Sequence, residues 1–220
     1  MLNKEIISVA IPSLNPADSV MQALDLMADF HVSQLPVVAE DKLIGLVNED
    51  DLLNTSDDQL ALSTLENNFS KIAVHANAHF IEAVQSVNEF HLSVVPVIGK
   101  ESEYIGSITA NDLLKNLGKL SGVNDPGAII VLELEKINFS FSEIIKLVET
   151  NDAQVTQLNT YSDIESGNFI VTLKINKFEI ADIVATFQRY EYHVKYYFGE
   201  ELYQNELRDN YDHLMNYLSI

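Results

Sequence analysis

The sequence contains two copies of one pattern, and the second copy follows the first at a lag of 60 residues that becomes 61. Eleven residues are identical between the copies. The pairs are Ala23 and Ala83, Phe30 and Phe90, His31 and His91, Ser33 and Ser93, Pro36 and Pro96, Val37 and Val97, Ile44 and Ile105, Gly45 and Gly106, Asp51 and Asp112, Leu52 and Leu113, and Leu53 and Leu114. A unit of this length rarely buries enough apolar surface to fold alone. The repeat therefore predicts two halves that share one core, with a pseudo-symmetric cleft between them.

The chain is strongly acidic, since 13 lysines and arginines stand against 33 aspartates and glutamates, for a formal net charge of -20. That charge repels phosphate backbones and anionic lipids, so we expect neither nucleic acid nor a membrane as a partner. The chain has no cysteine, which excludes disulfides, thiolate metal sites and a cysteine nucleophile. The apolar run of residues 6–11 is too short for a signal-peptide core or a membrane span. We therefore expect a cytoplasmic protein.

Each copy predicts the same order of elements. In the first copy these are a strand over residues 6–11, a helix whose apolar positions run from Val20 to His31, strands over residues 35–38 and 43–47, and a helix that starts over residues 48–53. Asp18 is the candidate N-cap of the first helix. Apolar residues in the segment 55–68 predict a partly helical connector, so we expect the two halves to pack together rather than to move independently.

Each copy has a helix, then the strand Leu-Pro-Val-Val or Val-Pro-Val-Ile, and then a segment that runs from a glycine to an aspartate, residues 45–51 and 106–112. By this pattern both copies resemble CBS domains. The resemblance implies a tandem CBS pair, often called a Bateman module, over residues 1–124, with repeats at about 1–56 and 66–121. A pair of this kind binds adenosine-containing molecules in its cleft and commonly forms a homodimer.

The candidate ligand site centres on Thr109 and Asp112. An aspartate near a helix N-terminus can accept both hydroxyls of a ribose, and the threonine hydroxyl with the first free N–H groups can hold a phosphate or the ribose edge. The full set of candidate binding residues is Thr109, Asp112, Asn111, Val95, Pro96, Val74, Asn48, Asp51, Leu35 and Pro36. The apolar members would flank the base. A hydroxyl followed three residues later by an acid also resembles a helix capping box, and the sequence leaves both roles open.

The two candidate sites differ in chemistry. Asn48 stands at the hydroxyl position of the first copy, so we rank Thr109 and Asp112 ahead of Asn48 and Asp51. The family often places a basic or histidine side chain just before the Leu-Pro-Val segment. This chain has Ser-Gln at 33–34 and Ser-Val at 93–94. Because little positive charge is available to a triphosphate, AMP, adenosine or a sulfonium-bearing adenosyl compound fits better than ATP.

Beyond the turn at residues 124–127 the pattern changes to strand, helix, strand, strand, helix, strand, the ferredoxin-like βαββαβ order. Following a CBS pair, this order resembles an ACT domain over residues 125–220. The first strand-to-helix turn, residues 135–140, has no glycine, which favours an assembly role over amino-acid sensing. A helical stripe ends the chain, and it predicts docking on this domain or on a second copy: Tyr203, Leu207, Tyr211, Leu214 and Leu218.

We therefore expect an α/β protein of the α+β type, a CBS pair followed by a ferredoxin-like, ACT-like domain. The six histidines do not form a ligand set, and no catalytic motif is present, so we expect neither a resident metal or cofactor nor an enzyme. The predicted function is a regulatory sensor that binds an adenosyl ligand and acts through a homodimer on an unidentified protein partner. The alternative is an interaction scaffold with empty clefts.

Overall fold

The structure, a computed structural model, describes residues 1–135 and 140–199. It divides into two units between Gly118 and Lys119, a few residues before the turn at 124–127 where the sequence places the domain boundary. The first unit holds both repeats, and the second holds the strands and helices that follow.

Each repeat of the first unit has two helices and an antiparallel pair of strands. In chain order the elements are α1 (Val20–Phe30), β1 (Gln34–Ala39), β2 (Lys42–Asn48), α2 (Glu49–Leu53), β3 (Val74–His75), α3 (Ile81–Phe90), β4 (Val94–Ile98), β5 (Tyr104–Thr109) and α4 (Ala110–Leu120). β1 pairs with β2, and β3, β4 and β5 form the sheet of the second repeat. A 3-10 helix at Leu62–Asn68 confirms the partly helical connector.

The two repeats exchange short segments of chain. Ser8 lies near the start of the first repeat, yet its N–H donates to the carbonyl of Ser107 on β5 of the second repeat at 2.8 Å. Ser70 lies near the start of the second repeat, and its N–H donates to the carbonyl of Leu46 on β2 of the first repeat at 2.9 Å. The first residues of each repeat therefore bond to a strand of the other repeat.

The prediction of a strand over residues 6–11 is wrong. Within that segment only Ser8 takes part in a bridge, and Ile6 packs in the core of the second repeat. The strand position of the first repeat belongs to Leu14, which bridges Val37 in parallel. This pairing matches that of Val74, 60 residues later, which pairs in parallel with β4.

The ends of the helices correct one prediction and explain a repeated histidine. Ser19, not Asp18, caps α1: its hydroxyl accepts the Gln22 N–H at 3.2 Å, and the Gln22 side chain accepts the Ser19 N–H at 2.8 Å. His31 and His91 follow α1 and α3 in the left-handed conformation, both with φ of 53°. Their recurrence therefore reflects equivalent helix ends.

Over its described residues, the second unit is a four-stranded antiparallel sheet with two helices. Its elements are β6 (Ala128–Leu134), α5 (Phe141–Glu149), β7 (Val155–Ser162), β8 (Phe169–Ile175), α6 (Ala181–Arg189) and β9 (His193–Phe198). The strand order β7-β8-β6-β9 is that of the ferredoxin-like fold, and it confirms the predicted α+β class. Buried residues of β6, such as Ile130 and Leu132, share one core with Ile144 of α5 and Phe187 of α6.

Two predictions concern residues outside the described ranges. The C-terminal stripe from Tyr203 to Leu218 lies wholly outside them. Residues 136–139 also lie outside them, and they belong to the glycine-free turn for which an assembly role was predicted. Ser140, at the end of that turn, caps α5 by accepting the Glu143 N–H at 3.4 Å. Within the described part of the chain, no helix is both long enough and apolar enough to cross a membrane.

Candidate functional site

Thr109 and Asp112 lie together where β5 passes into α4. The Thr109 hydroxyl donates to a carboxylate oxygen of Asp112 at 2.6 Å and accepts the Asp112 backbone N–H at 3.0 Å. The threonine therefore caps the first turn of α4, one of the two roles that the sequence left open. The Asp112 side chain remains 25% exposed, and its second oxygen lies 3.9 Å from the Lys115 ammonium. The carboxylate thus keeps accessible acceptor capacity beside the cap.

The equivalent position in the first repeat is built differently. Asn48 occupies the N-cap of α2, but its side chain makes no capping hydrogen bond. Glu49, Asp50 and Asp51 fill the first turn of that helix with three consecutive carboxylates. The Asp51 carbonyl accepts the Thr55 hydroxyl at 3.2 Å. The first repeat therefore lacks the paired hydroxyl and carboxylate of the second, and its like charges disfavour an anionic ligand.

The apolar candidates belong to the cores of the two repeats. Leu35 is fully buried in the first core, and Val95 and Val74 are buried in the second. Pro36 and Pro96 are also buried. These five side chains, predicted to flank a base, present little or no surface to a ligand in this structure. The reason is that their strands lie within the two cores, and β1 of the first repeat also contacts β4 of the second.

Asn111 is exposed in the first turn of α4, next to Asp112. The structure therefore brings together three polar candidates of the second repeat, Thr109, Asn111 and Asp112, at one end of one helix. Exposed or partly exposed polar groups at this end of α4 can hydrogen-bond a ligand without disturbing the core.

A hydrogen-bonded contact between the two repeats escaped the sequence analysis. The side-chain oxygen of Gln34 accepts both the backbone N–H and the hydroxyl of Ser93, each at 2.7 Å. The Ser93 hydroxyl in turn accepts the Ser33 N–H at 2.9 Å. The sequence did contain a signal for it: Gln34 differs from its counterpart Val94, although the preceding residue is identical in the two copies.

The histidines that the structure describes do not form a metal site. Among the residues that the structure describes, no group of three or more His, Cys, Asp or Glu side chains is placed to hold a metal ion. His79 instead packs beside the ring of Phe80, with 5.0 Å between ring centroids, and its Nδ1 accepts the Ile81 N–H at 3.5 Å.

The two repeats each match a known protein family. Residues 4–58 and 69–119 each match the model of the CBS domain. Inosine-5'-monophosphate dehydrogenase from Aquifex aeolicus is 29% identical over 106 residues, which are 47% of this chain and 22% of that protein. The chain thus spans about a fifth of the length of such curated relatives.

Two solved structures also resemble this chain. A CBS domain pair/ACT domain protein from Thermotoga maritima is 22% identical and has a TM-score of 0.49, with coverage of 55% of this chain and 98% of that one. CBSX2, solved in complex with AMP, is 18% identical and has a TM-score of 0.46, with coverage of 54% and 97%.

Proposed function

We propose that this protein, whose residues 4–58 and 69–119 are two CBS domains in tandem, is a regulatory protein that binds an adenosyl ligand at Thr109 and Asp112. CBS pairs are regulatory modules, and the resemblance to inosine-5'-monophosphate dehydrogenase involves only about a fifth of that enzyme. The proposal is therefore one of ligand sensing rather than catalysis.

The observation that carries this proposal is the pair formed by Thr109 and Asp112. Their 2.6 Å hydrogen bond fixes the direction of the carboxylate, while a quarter of the Asp112 side chain stays open to solvent. A carboxylate can accept hydrogen bonds from both hydroxyls of a ribose. Because the cap already holds the side chain, little rotamer entropy is lost on binding.

The charges around the site favour a ligand with few phosphates. Lys115 is the basic side chain recorded beside Asp112, at 3.9 Å. It can interact with one phosphate, whereas a triphosphate would carry several uncompensated charges toward a protein of net charge -20. AMP, adenosine and S-adenosyl compounds are therefore favoured over ATP.

A ligand-dependent melting experiment with a matched pair of variants tests this proposal. AMP, adenosine, S-adenosylmethionine and ATP are titrated against the wild type, Asp112→Asn and Asp51→Asn. A ligand present at about a hundred times its Kd should raise Tm by about 5–10 °C. Asparagine keeps an acceptor for the Thr109 hydroxyl, so Asp112→Asn should fold normally and lose the shift. Asp51→Asn, at the equivalent position, should retain it.

Two outcomes would contradict the proposal. If no adenosyl compound shifts Tm, the protein is an interaction scaffold that binds no such ligand. That function is supported by the hydrogen bonds between Thr109 and Asp112, which already serve as a helix cap. A full shift in Asp112→Asn would place the ligand elsewhere in the protein.

The protein acts as a homodimer in this proposal, and repeated apolar positions support it. Phe30 and Phe90 are 37% and 47% exposed, and Leu53 and Leu114 are 64% and 68% exposed. Each pair occupies equivalent positions, so the first unit presents the same apolar surface twice. Such a surface suits a two-fold interface with a second copy. The ferredoxin-like second unit, taken as an ACT-like domain, adds to assembly, and a protein partner reads the ligand state of the dimer.

A further inference from the structure

Gln34 begins β1 in the first repeat, but its side chain serves the second repeat. The residue is 8% exposed, and its amide oxygen accepts hydrogen bonds from two groups of Ser93, the backbone N–H and the hydroxyl, at 2.7 Å each. A largely buried amide that accepts two short hydrogen bonds is strongly restrained in position. Gln34 therefore fixes both the backbone and the side chain of Ser93.

Ser93 connects this contact to the helix that carries the proposed ligand site. Its carbonyl accepts the N–H of Ala110, the first residue of α4, at 2.9 Å. Thr109 precedes Ala110 and pairs on β5 with Val94, the residue that follows Ser93. Thr109 is thus next in the chain to Ala110, which Ser93 hydrogen-bonds, and it pairs with the residue next to Ser93. A shift of Ser93 would therefore move the surroundings of Thr109.

The first repeat has half of the same arrangement. The Ser33 carbonyl accepts the N–H of Glu49, the first residue of α2, at 2.9 Å. The counterpart of Gln34 is Val94, however, and a valine side chain has no acceptor for Ser33. The restrained serine therefore lies in the repeat that also has Thr109 and Asp112.

We infer that Gln34 is a positioning residue for the ligand site of the second repeat, acting through Ser93 on the first turn of α4. This inference rests on the proposed function for its effect on binding, and on the hydrogen bonds alone for its effect on the free protein. It makes the site a product of both repeats: the groups that touch the ligand come from one, and the group that orients them comes from the other.

The test compares Gln34→Met, which has a similar volume but no oxygen acceptor, with Gln34→Glu, which keeps an acceptor at the same place. Amide hydrogen exchange of Ala110 and Ser33 is measured in the free proteins, and AMP binding is measured by calorimetry. Gln34→Met should speed exchange at both amides and weaken AMP binding, each by about tenfold. Gln34→Glu should restore both values toward those of the wild type.

A second pair of variants keeps the inference testable if Gln34→Met fails to fold. Ser93→Ala removes the hydroxyl that Gln34 and Ser33 both contact, and it should weaken AMP binding with little change in volume. Ser33→Ala removes a hydroxyl that takes part in none of these bonds and should behave as the wild type.

Two further outcomes separate this inference from the proposed function. Unchanged Ala110 exchange in Gln34→Met and in Ser93→Ala would overturn the inference, whatever the protein binds. Faster exchange together with no AMP binding by the wild type would leave the positioning role intact and contradict the proposed ligand class.

Discussion

Gly45 and Gly106 occupy equivalent positions in the two repeats, and each makes room for an exchanged segment. A Cβ atom on Gly45 would lie 2.7 Å from the Cβ of Phe69 and 2.9 Å from the backbone oxygen of Ser70. A Cβ atom on Gly106 would lie 2.5 Å from the Cγ2 of Ile7. Contacts this short require the neighbour to move. The recurrence of glycine is thus explained by the segments that cross β2 and β5.

Gly45→Ala should destabilise the first unit. The new methyl group meets the backbone of Ser70, which is hydrogen-bonded to Leu46 on β2 and cannot shift cheaply. The expected loss is about 1–3 kcal/mol in the free energy of unfolding, measured by urea denaturation. Gly99→Ala is the control, because the three atoms nearest its Cβ would all belong to the exposed side chain of Glu103, which can move away at the cost of its hydrogen bond from the Glu101 N–H. Equal losses in the two variants would contradict this account of Gly45.

Tyr192 gives the second unit a dependence on alkaline pH. Burial, followed by its interaction with the Glu143 carboxylate, raises the pKa of Tyr192 from 10.0 to about 12. The residue is 8% exposed and packs edge-on to Phe187, with 5.7 Å between ring centroids. Because the pKa is higher in the folded state, the stabilisation is present below the unfolded value and is lost as pH rises from 10.0 to about 12.

Tyr192→Phe should flatten the decline of the free energy of unfolding between pH 10.0 and about 12, since phenylalanine has no proton to lose. Urea denaturation at a series of pH values across this window measures the slope. Tyr161→Phe, at a position that is 58% exposed on β7, should leave the slope as it is in the wild type. A wild-type slope in Tyr192→Phe would mean that other groups control alkaline unfolding.

At the scale of elements, the sequence predicted best the segments whose signals are local. The sequence predicts strands over residues 128–134, 169–175 and 193–198 and a helix over residues 110–120, and β6, β8, β9 and α4 have these bounds. Turn residues or a change of apolar period bound each of them. The same holds for the order βαββαβ. Local signals failed at the start of α1, where Asp18 and Ser19 are adjacent cap residues and the Gln22 side chain selects Ser19.

The segments and site contacts that the sequence did not predict are those set by distant residues. The apolar pattern of residues 6–11 does not reveal that Ile6 joins the core of the second repeat. The continuous apolar runs of β1 and β4 likewise do not show which residues the core covers, and Leu35 and Val95 were expected to flank a base although both are fully buried. Thr109 and Asp112 were found because both lie in one short repeated segment, three residues apart, whereas the residues of the Gln34–Ser93 contact are 59 apart in sequence.

At the scale of the whole molecule, net charge and repeated apolar surface have opposite effects on the association of two copies of the chain. Two copies of a chain with a charge of -20 repel each other, and this repulsion is screened by salt. The exposed Leu53 and Leu114 favour association, because burial of a leucine is worth about 1.5–3 kcal/mol. A homodimer formed through these positions should therefore become more stable as ionic strength rises.

The double substitution Leu53→Glu with Leu114→Glu should abolish that dimer, because it places carboxylates at both equivalent positions of an acidic protein. Size-exclusion chromatography with light scattering distinguishes the 24.7 kDa monomer from a species of twice that mass. Ile164→Glu is the control, since Ile164 is 98% exposed but has no counterpart in a repeat, and this variant should remain dimeric. If the wild type stays monomeric at high salt, the proposal of a homodimer is wrong. A double variant that remains dimeric would instead move the interface away from these two positions.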